Sequence, residues 1–219
     1  MTDDERFKKW GEWIMVIYED VENAIQSRCI HNEIGAILQA NPRLWRDNNS
    51  FYRWMASNYE DSILMAVRRQ VDADKQSISL ARLLEEIICY PQVLARERFI
   101  GQVVVHKLPV TEDAVNRAFD YYAASDANHI NADAVRTELC DLRARTEGIK
   151  SYTNKRVAHF DAKGPKDSPT ILQVHAALDF LNALREKYRI LLRAEKYKEV
   201  QLHDEETWKA IFREPWIPW

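Results

Sequence analysis

Phe51, Met55, Tyr59, Ile63, Val67 and Val71 stand at every fourth position without a break. A helix of about 3.6 residues per turn gathers such a series onto one face. The same period governs the rest of the chain. Trp10, Ile14, Ile17, Val21, Ile25 and Cys29 recur at three- and four-residue steps behind Thr2 and Glu5, which fit a capping box. A first long helix is therefore expected to run to about Gln39, before Asn41-Pro42, with Gly35 as a point of weakness. Ser77 or Ser79 caps a helix carrying Leu80, Leu83, Leu84, Ile87 and Ile88, ended near Pro91. Thr111 opens another, with Glu112 and Asp113 at the favourable end of the dipole. Asn131 with Asp133 opens the next, which runs through Leu139 and Leu142 to about His159, with Gly148 able to bend it and Gly164-Pro165 to stop it. Ser168-Pro169 reads as a cap followed by proline at the first helical position, starting a last long helix striped by Val174, Leu178, Leu181, Tyr188 and Leu191. Residues 98–109 are the least regular. Three successive valines there allow a short strand, but no partner strand is near, so a loop or helix end is expected.

Composition agrees with the period. Five glycines and seven prolines in 219 residues are too few for the closely spaced turns of an all-β fold. A 46% hydrophobic content excludes a disordered chain. The expected fold is an all-α bundle of five to seven helices, one domain over 1–219, with 200–219 an aromatic C-terminal extension. That extension, ending WKAIFREPWIPW, is expected to dock on the body or on a partner, and the seven tryptophans to serve mostly as core anchors. Net charge is −3, from 31 basic and 34 acidic residues, which announces neither a nucleic-acid coat nor a membrane surface. Cys29, Cys89 and Cys140 show no CxxC spacing and read as buried thiols of a reducing compartment. The acidic start MTDDERFKKW is unlike a secretion signal, and no apolar run nears the ~20 residues of a membrane span. A soluble, cytoplasmic protein without membrane partners is expected.

Searches for a P-loop, GxGxxG, HExxH or GxSxG return nothing. No two histidines fall four apart, so no metal site and no cofactor is expected. One segment departs from the background. Positions 141 to 166 hold seven basic residues (Arg143, Arg145, Lys150, Lys155, Arg156, Lys163, Lys166) against Asp141, Glu147 and Asp161, a local net charge of +4 in a chain of −3. Lys155 and Arg156 precede His159 by four and three residues, on one helical face. A histidine flanked by cations can hold a phosphodiester and move protons on it, since its pKa lies nearest neutrality. The plainer reading makes the three residues a basic complement to a helix C-terminus. Spacing alone leaves both open.

The segment containing TNKRVAHFD resembles the HEPN superfamily, and within it the abortive-infection, AbiU-like branch of bacterial phage-defence and toxin–antitoxin proteins. A motif like R-N-K-x-x-A-H closes the penultimate long helix of an all-α bundle in that branch. The stretches MAVRRQVD and SLARLLEEI are similar in pattern. The resemblance implies a metal-independent endoribonuclease working as a homodimer, with two motifs facing each other and an antitoxin or other protein as possible partner. It gives His159 the acid–base role and makes Asn154 the polar residue that positions the pair. The motif arginine does not carry over. It stands with four to six residues between it and the histidine, where this chain has Tyr152, Thr153 and Asn154, with Thr153 in its place. A lost preorganised charge costs about 10²–10³ in rate, so Arg156, Lys155 or a cation from a second subunit would have to substitute.

The candidate site is thus His159, Asn154 and Arg156 for catalysis, with Lys155, Tyr152 and Thr153 for substrate. Tyr152 can stack a base or sit in a dimer seam, although packing is the commoner use. Arg68, Arg69, Asp72 and Asp74 form a charged cluster that hints at metal but reads better as a solvated turn. His175 lies near His159 across a short loop, where a surface position is the simpler expectation. Two functions stay open: the HEPN-type endoribonuclease, and a catalytically silent all-α module that binds RNA, nucleotide or a protein.

Overall fold

The computed structural model describes residues 1–41, 50–105, 111–124, 127–158, 161–164, 167–194 and 205–210. These hold eight α-helices: α1 (Asp3–Ala40), α2 (Ser50–Gln70), α3 (Leu80–Cys89), α4 (Arg96–Val105), α5 (Glu112–Ala123), α6 (Ala132–Arg156), α7 (Ile171–Arg193) and α8 (Glu205–Ala210). A 3-10 turn, Pro91–Val93, follows α3, and among the described residues there is no strand beyond the isolated bridge Ala95–His129. The all-α bundle expected from the period is what forms. Long α1 packs along α7 and α2; α6 packs against α3, α2 and α7; α4 joins α5 to the body.

The caps follow the expected chemistry at most starts. Thr2 Oγ1 accepts from the Glu5 amide at 3.2 Å, and the Glu5 carboxylate accepts from the Thr2 amide at 2.7 Å. Ser79, rather than Ser77, caps α3, and Thr111 and Asn131 cap α5 and α6. Gly35 and Gly148 interrupt neither of their helices.

Four expectations need correction. Residues 98–105 are not loop but most of α4. Phe99 and Val103, four apart, face the core there, and Phe99 packs on Phe119 with centroids 5.7 Å apart. Burial of that face overrides the strand preference of the valines. Helix α7 does not start at Pro169. Thr170 caps it, because its hydroxyl accepts from the Gln173 amide while the Gln173 side chain accepts from the Thr170 amide at 2.8 Å. That reciprocal pair outcompetes the serine two residues earlier. The cysteines are free thiols but not buried: Cys29 is half-buried, and Cys89 and Cys140 are exposed. Of the described tryptophans Trp10 is buried in the core and Trp13 packs against it half-buried, whereas Trp54, at 61% exposure, lies on the outward side of α2. The apolar ridge of α2 is likewise buried only from Tyr59 onward.

Core residues from all the long helices meet in one cluster around Trp10, Ile14, Ile63, Leu83, Leu142 and Leu178. The described part of the C-terminal extension touches the body, where Lys209 of α8 pairs with Glu33 of α1 at 2.6 Å. No helix among the described residues is long and apolar enough to cross a membrane.

Candidate functional site

The end of α6 is shaped by two buried positions. Ile149 and Thr153, four apart, both face the core. Thr153 is fully buried at 0% exposure, and its hydroxyl donates to the Ile149 carbonyl at 2.7 Å, spending its one donor within the helix. With 153 turned inward, Tyr152 and Asn154 flank it half-buried, and Arg156 is exposed. The helix closes at Arg156 rather than near His159. The amides of Val157 and Ala158 both donate to the Thr153 carbonyl, at 3.0 and 2.9 Å, and the Asp161 amide returns to the Lys155 carbonyl at 3.1 Å. Asp161 then accepts from the Lys163 amide, and Gly164 takes the positive φ of 63° that ends the turn. His159 and Phe160 lie outside the described residues.

The packing of α2 against α6 supplies a cation at this place. Arg68 Nε donates to Asn154 Oδ1 at 2.5 Å, and Arg68 also pairs with Asp72 at 3.6 Å, with its side chain 29% exposed. Lys150, Lys155 and Arg156 form no ion pair among the described residues. The basic last turn lies at the carbonyl end of the α6 dipole, where cations are favoured. Of the six residues expected from the sequence, Asn154 thus meets a guanidinium, Lys155 and Arg156 present unspent charge, and Thr153 is withdrawn into the core.

Arg68 had a partial signal in the sequence, the charged cluster at the end of α2. That cluster ties helices together. Arg69 pairs with Asp20 of α1 at 2.5 Å, and the Asp72 and Asp74 carboxylates accept the amides of Asp74 and Gln76. Among the described residues no group of three or more His, Cys, Asp or Glu side chains is placed to hold a metal ion.

His175 is half-buried rather than fully exposed. Its Nε2 lies 2.6 Å from the Tyr59 hydroxyl, and His31 stacks on the Tyr59 ring, centroids 4.0 Å apart and planes at 9°. Burial pushes the Tyr59 hydroxyl up to about 12, so it stays protonated while it shares this hydrogen bond with the imidazole. Burial, with Arg28 beside it, holds His175 below the ordinary histidine value, and burial does the same for His31. Arg28 itself pairs with Asp179 at 2.7 Å. This junction of α1, α2 and α7 joins residues 31, 59 and 175, and nothing in their spacing foretells it.

Beside the motif, α2, α6 and the start of α7 flank a half-open cavity of about 220 Å³. Tyr152 forms one wall, Ile63, Leu64 and Val174 line its apolar part, and Glu60 and Ser168 add polar groups.

A family model described as HEPN_AbiU2 (AbiU2) matches residues 17–211 of the chain. No curated protein and no solved structure matches it.

Proposed function

This chain belongs to the AbiU2 family of HEPN proteins, and on that premise we propose that it is a phage-defence or toxin-type endoribonuclease. It cleaves RNA without a metal ion and acts as a dimer. The ribose 2′-oxygen attacks the adjacent phosphorus while its proton passes to a base, the bond from phosphorus to the 5′-oxygen breaks, and that oxygen takes up a proton. His159 serves this acid–base chemistry, Lys155 and Arg156 attract the backbone, and Arg68 is the cation on the phosphate that position 153 does not provide.

One observation carries the reading. The Arg68 guanidinium is hydrogen-bonded at 2.5 Å to Asn154, the motif residue next to Thr153. A guanidinium offers five donors in a planar fork. The Nε–H orients Arg68 on the motif and Nη1 faces Asp72, which leaves the Nη2 donors for phosphate oxygens. A second reading, a silent module binding RNA, nucleotide or protein, is favoured by position 153, where a buried Thr stands in the place of the motif arginine.

The test is cleavage of an end-labelled mixed-sequence RNA in EDTA, with His159→Ala at equal concentration. Cleavage by the wild type alone is expected. Binding without cleavage by either protein favours the silent module. Equal cleavage by both marks a contaminant and removes His159 from the chemistry.

A further inference from the structure

We propose that the cavity beside the motif is a nucleobase pocket selective for guanine. This rests on the reading of the protein as an RNA-cleaving enzyme and specifies which RNA position it reads.

The cavity has the right size and the right surfaces. At about 220 Å³ it falls below the roughly 300–1,000 Å³ of sites for drug-sized ligands, which suits a fragment such as one planar base. Ile63, Leu64 and Val174 are core residues that reach its lining, which is otherwise largely polar. Tyr152 gives that lining an aromatic face, and single-stranded RNA is read by stacking unpaired bases on such rings and bonding their Watson–Crick edges.

The polar groups select among bases. Glu60, Ser168 and the Tyr152 hydroxyl make no hydrogen bond or ion pair among the described residues, unlike most charged side chains of α2. An ionised carboxylate only accepts, and it accepts two parallel donors best. Guanine is the base that offers such a fork, through its ring N1–H and exocyclic N2–H. Adenine and cytosine each set one amino group beside a ring acceptor, and uracil sets one N–H between two carbonyls, so each would turn a lone pair toward Glu60.

Position then links pocket and motif. Tyr152 is the immediate neighbour of Thr153 and lies two residues before Asn154 on the same turn of α6. A base held on Tyr152 brings its own backbone to the end of the helix, where Lys155, Arg156 and Arg68 lie.

The experiment is calorimetric titration of the full chain with the four nucleoside 5′-monophosphates, repeated on Glu60→Gln and Tyr152→Leu. Glu60 is exposed, so the Glu60→Gln protein keeps its fold. GMP is expected to bind about 10–100-fold tighter than AMP, CMP or UMP. Glu60→Gln should remove most of that preference, and Tyr152→Leu should weaken all four alike by about tenfold. Equal affinities for the four nucleotides, or a GMP preference untouched by Glu60→Gln, overturns the pocket. Cleavage of mixed RNA at every base alongside that result leaves the nuclease reading standing. GMP bound through Glu60 by a protein that leaves RNA intact supports the pocket and overturns the nuclease reading alone.

Discussion

At the scale of single residues, two arginines matter most, and they differ in how far the sequence betrays them. Arg185 sits on the apolar stripe of α7 between Leu181 and Tyr188, at 0% exposure. It donates to Glu22 at 2.6 Å, to the Tyr18 carbonyl at 2.8 Å and to Asn182 at 2.7 Å, with its guanidinium over the Tyr18 ring. Removing one partner of a buried ion pair costs about 3–5 kcal/mol, because the other is left uncompensated. Arg185→Ala is therefore expected to lose about that much in urea unfolding, and a loss under about 1 kcal/mol would contradict the role. The stripe made this position visible, but not Tyr18 and Glu22, which come from a helix more than 160 residues away in the chain. Arg68 was visible only as one charge of a cluster. Its meaning depends on α2 crossing α6, a tertiary fact that no local pattern encodes. Thr153 shows the converse: the sequence marks the missing arginine, while its burial explains why a cation there would have to be desolvated.

At the scale of elements, legibility follows the number of competing signals. Helices with a cap and an unbroken apolar period, α1, α3, α5 and α6, begin where the residues say. Start signals compete at α7, and the capping box of Thr170 and Gln173 wins over Ser168-Pro169. Thr170→Ala is expected to destabilise the protein by about 1 kcal/mol, seen as a lower urea midpoint with an unchanged slope. The same substitution at Ser168, whose side chain caps nothing, should change the midpoint little. Equal effects at both positions would return the start of α7 to Ser168. In α4 the three valines masked a four-residue repeat, and α6 ends at Arg156, short of the expected end near His159. The fold class was thus readable throughout, and the boundaries only where one signal stood alone.

At the scale of the whole molecule, the junction of His31, Tyr59 and His175 ties α1, α2 and α7 by imidazoles that folding holds neutral. Both have values below the ordinary one in the folded protein, so the unfolded chain binds protons that the folded protein refuses. Stability from these groups is present above the unfolded histidine value of about 6.5 and is lost as the pH falls through it. The urea midpoint should drop between pH 7.5 and 5.5, and His31→Gln with His175→Gln should flatten that slope. Unchanged pH dependence in the double variant would remove the junction from the stability of the bundle. The same packing of distant helices defines the proposed chemistry, in which α2 lends a cation to a motif on α6. The most direct measurement of that claim is the single-turnover rate of RNA cleavage in EDTA by Arg68→Ala beside the wild type, with circular dichroism as the control for folding. The rate should fall by about 10²–10³ with the helical spectrum unchanged, and Arg68→Lys should recover part of it. A folded Arg68→Ala protein that cleaves at the wild-type rate, or a wild type that does not cleave, would contradict it.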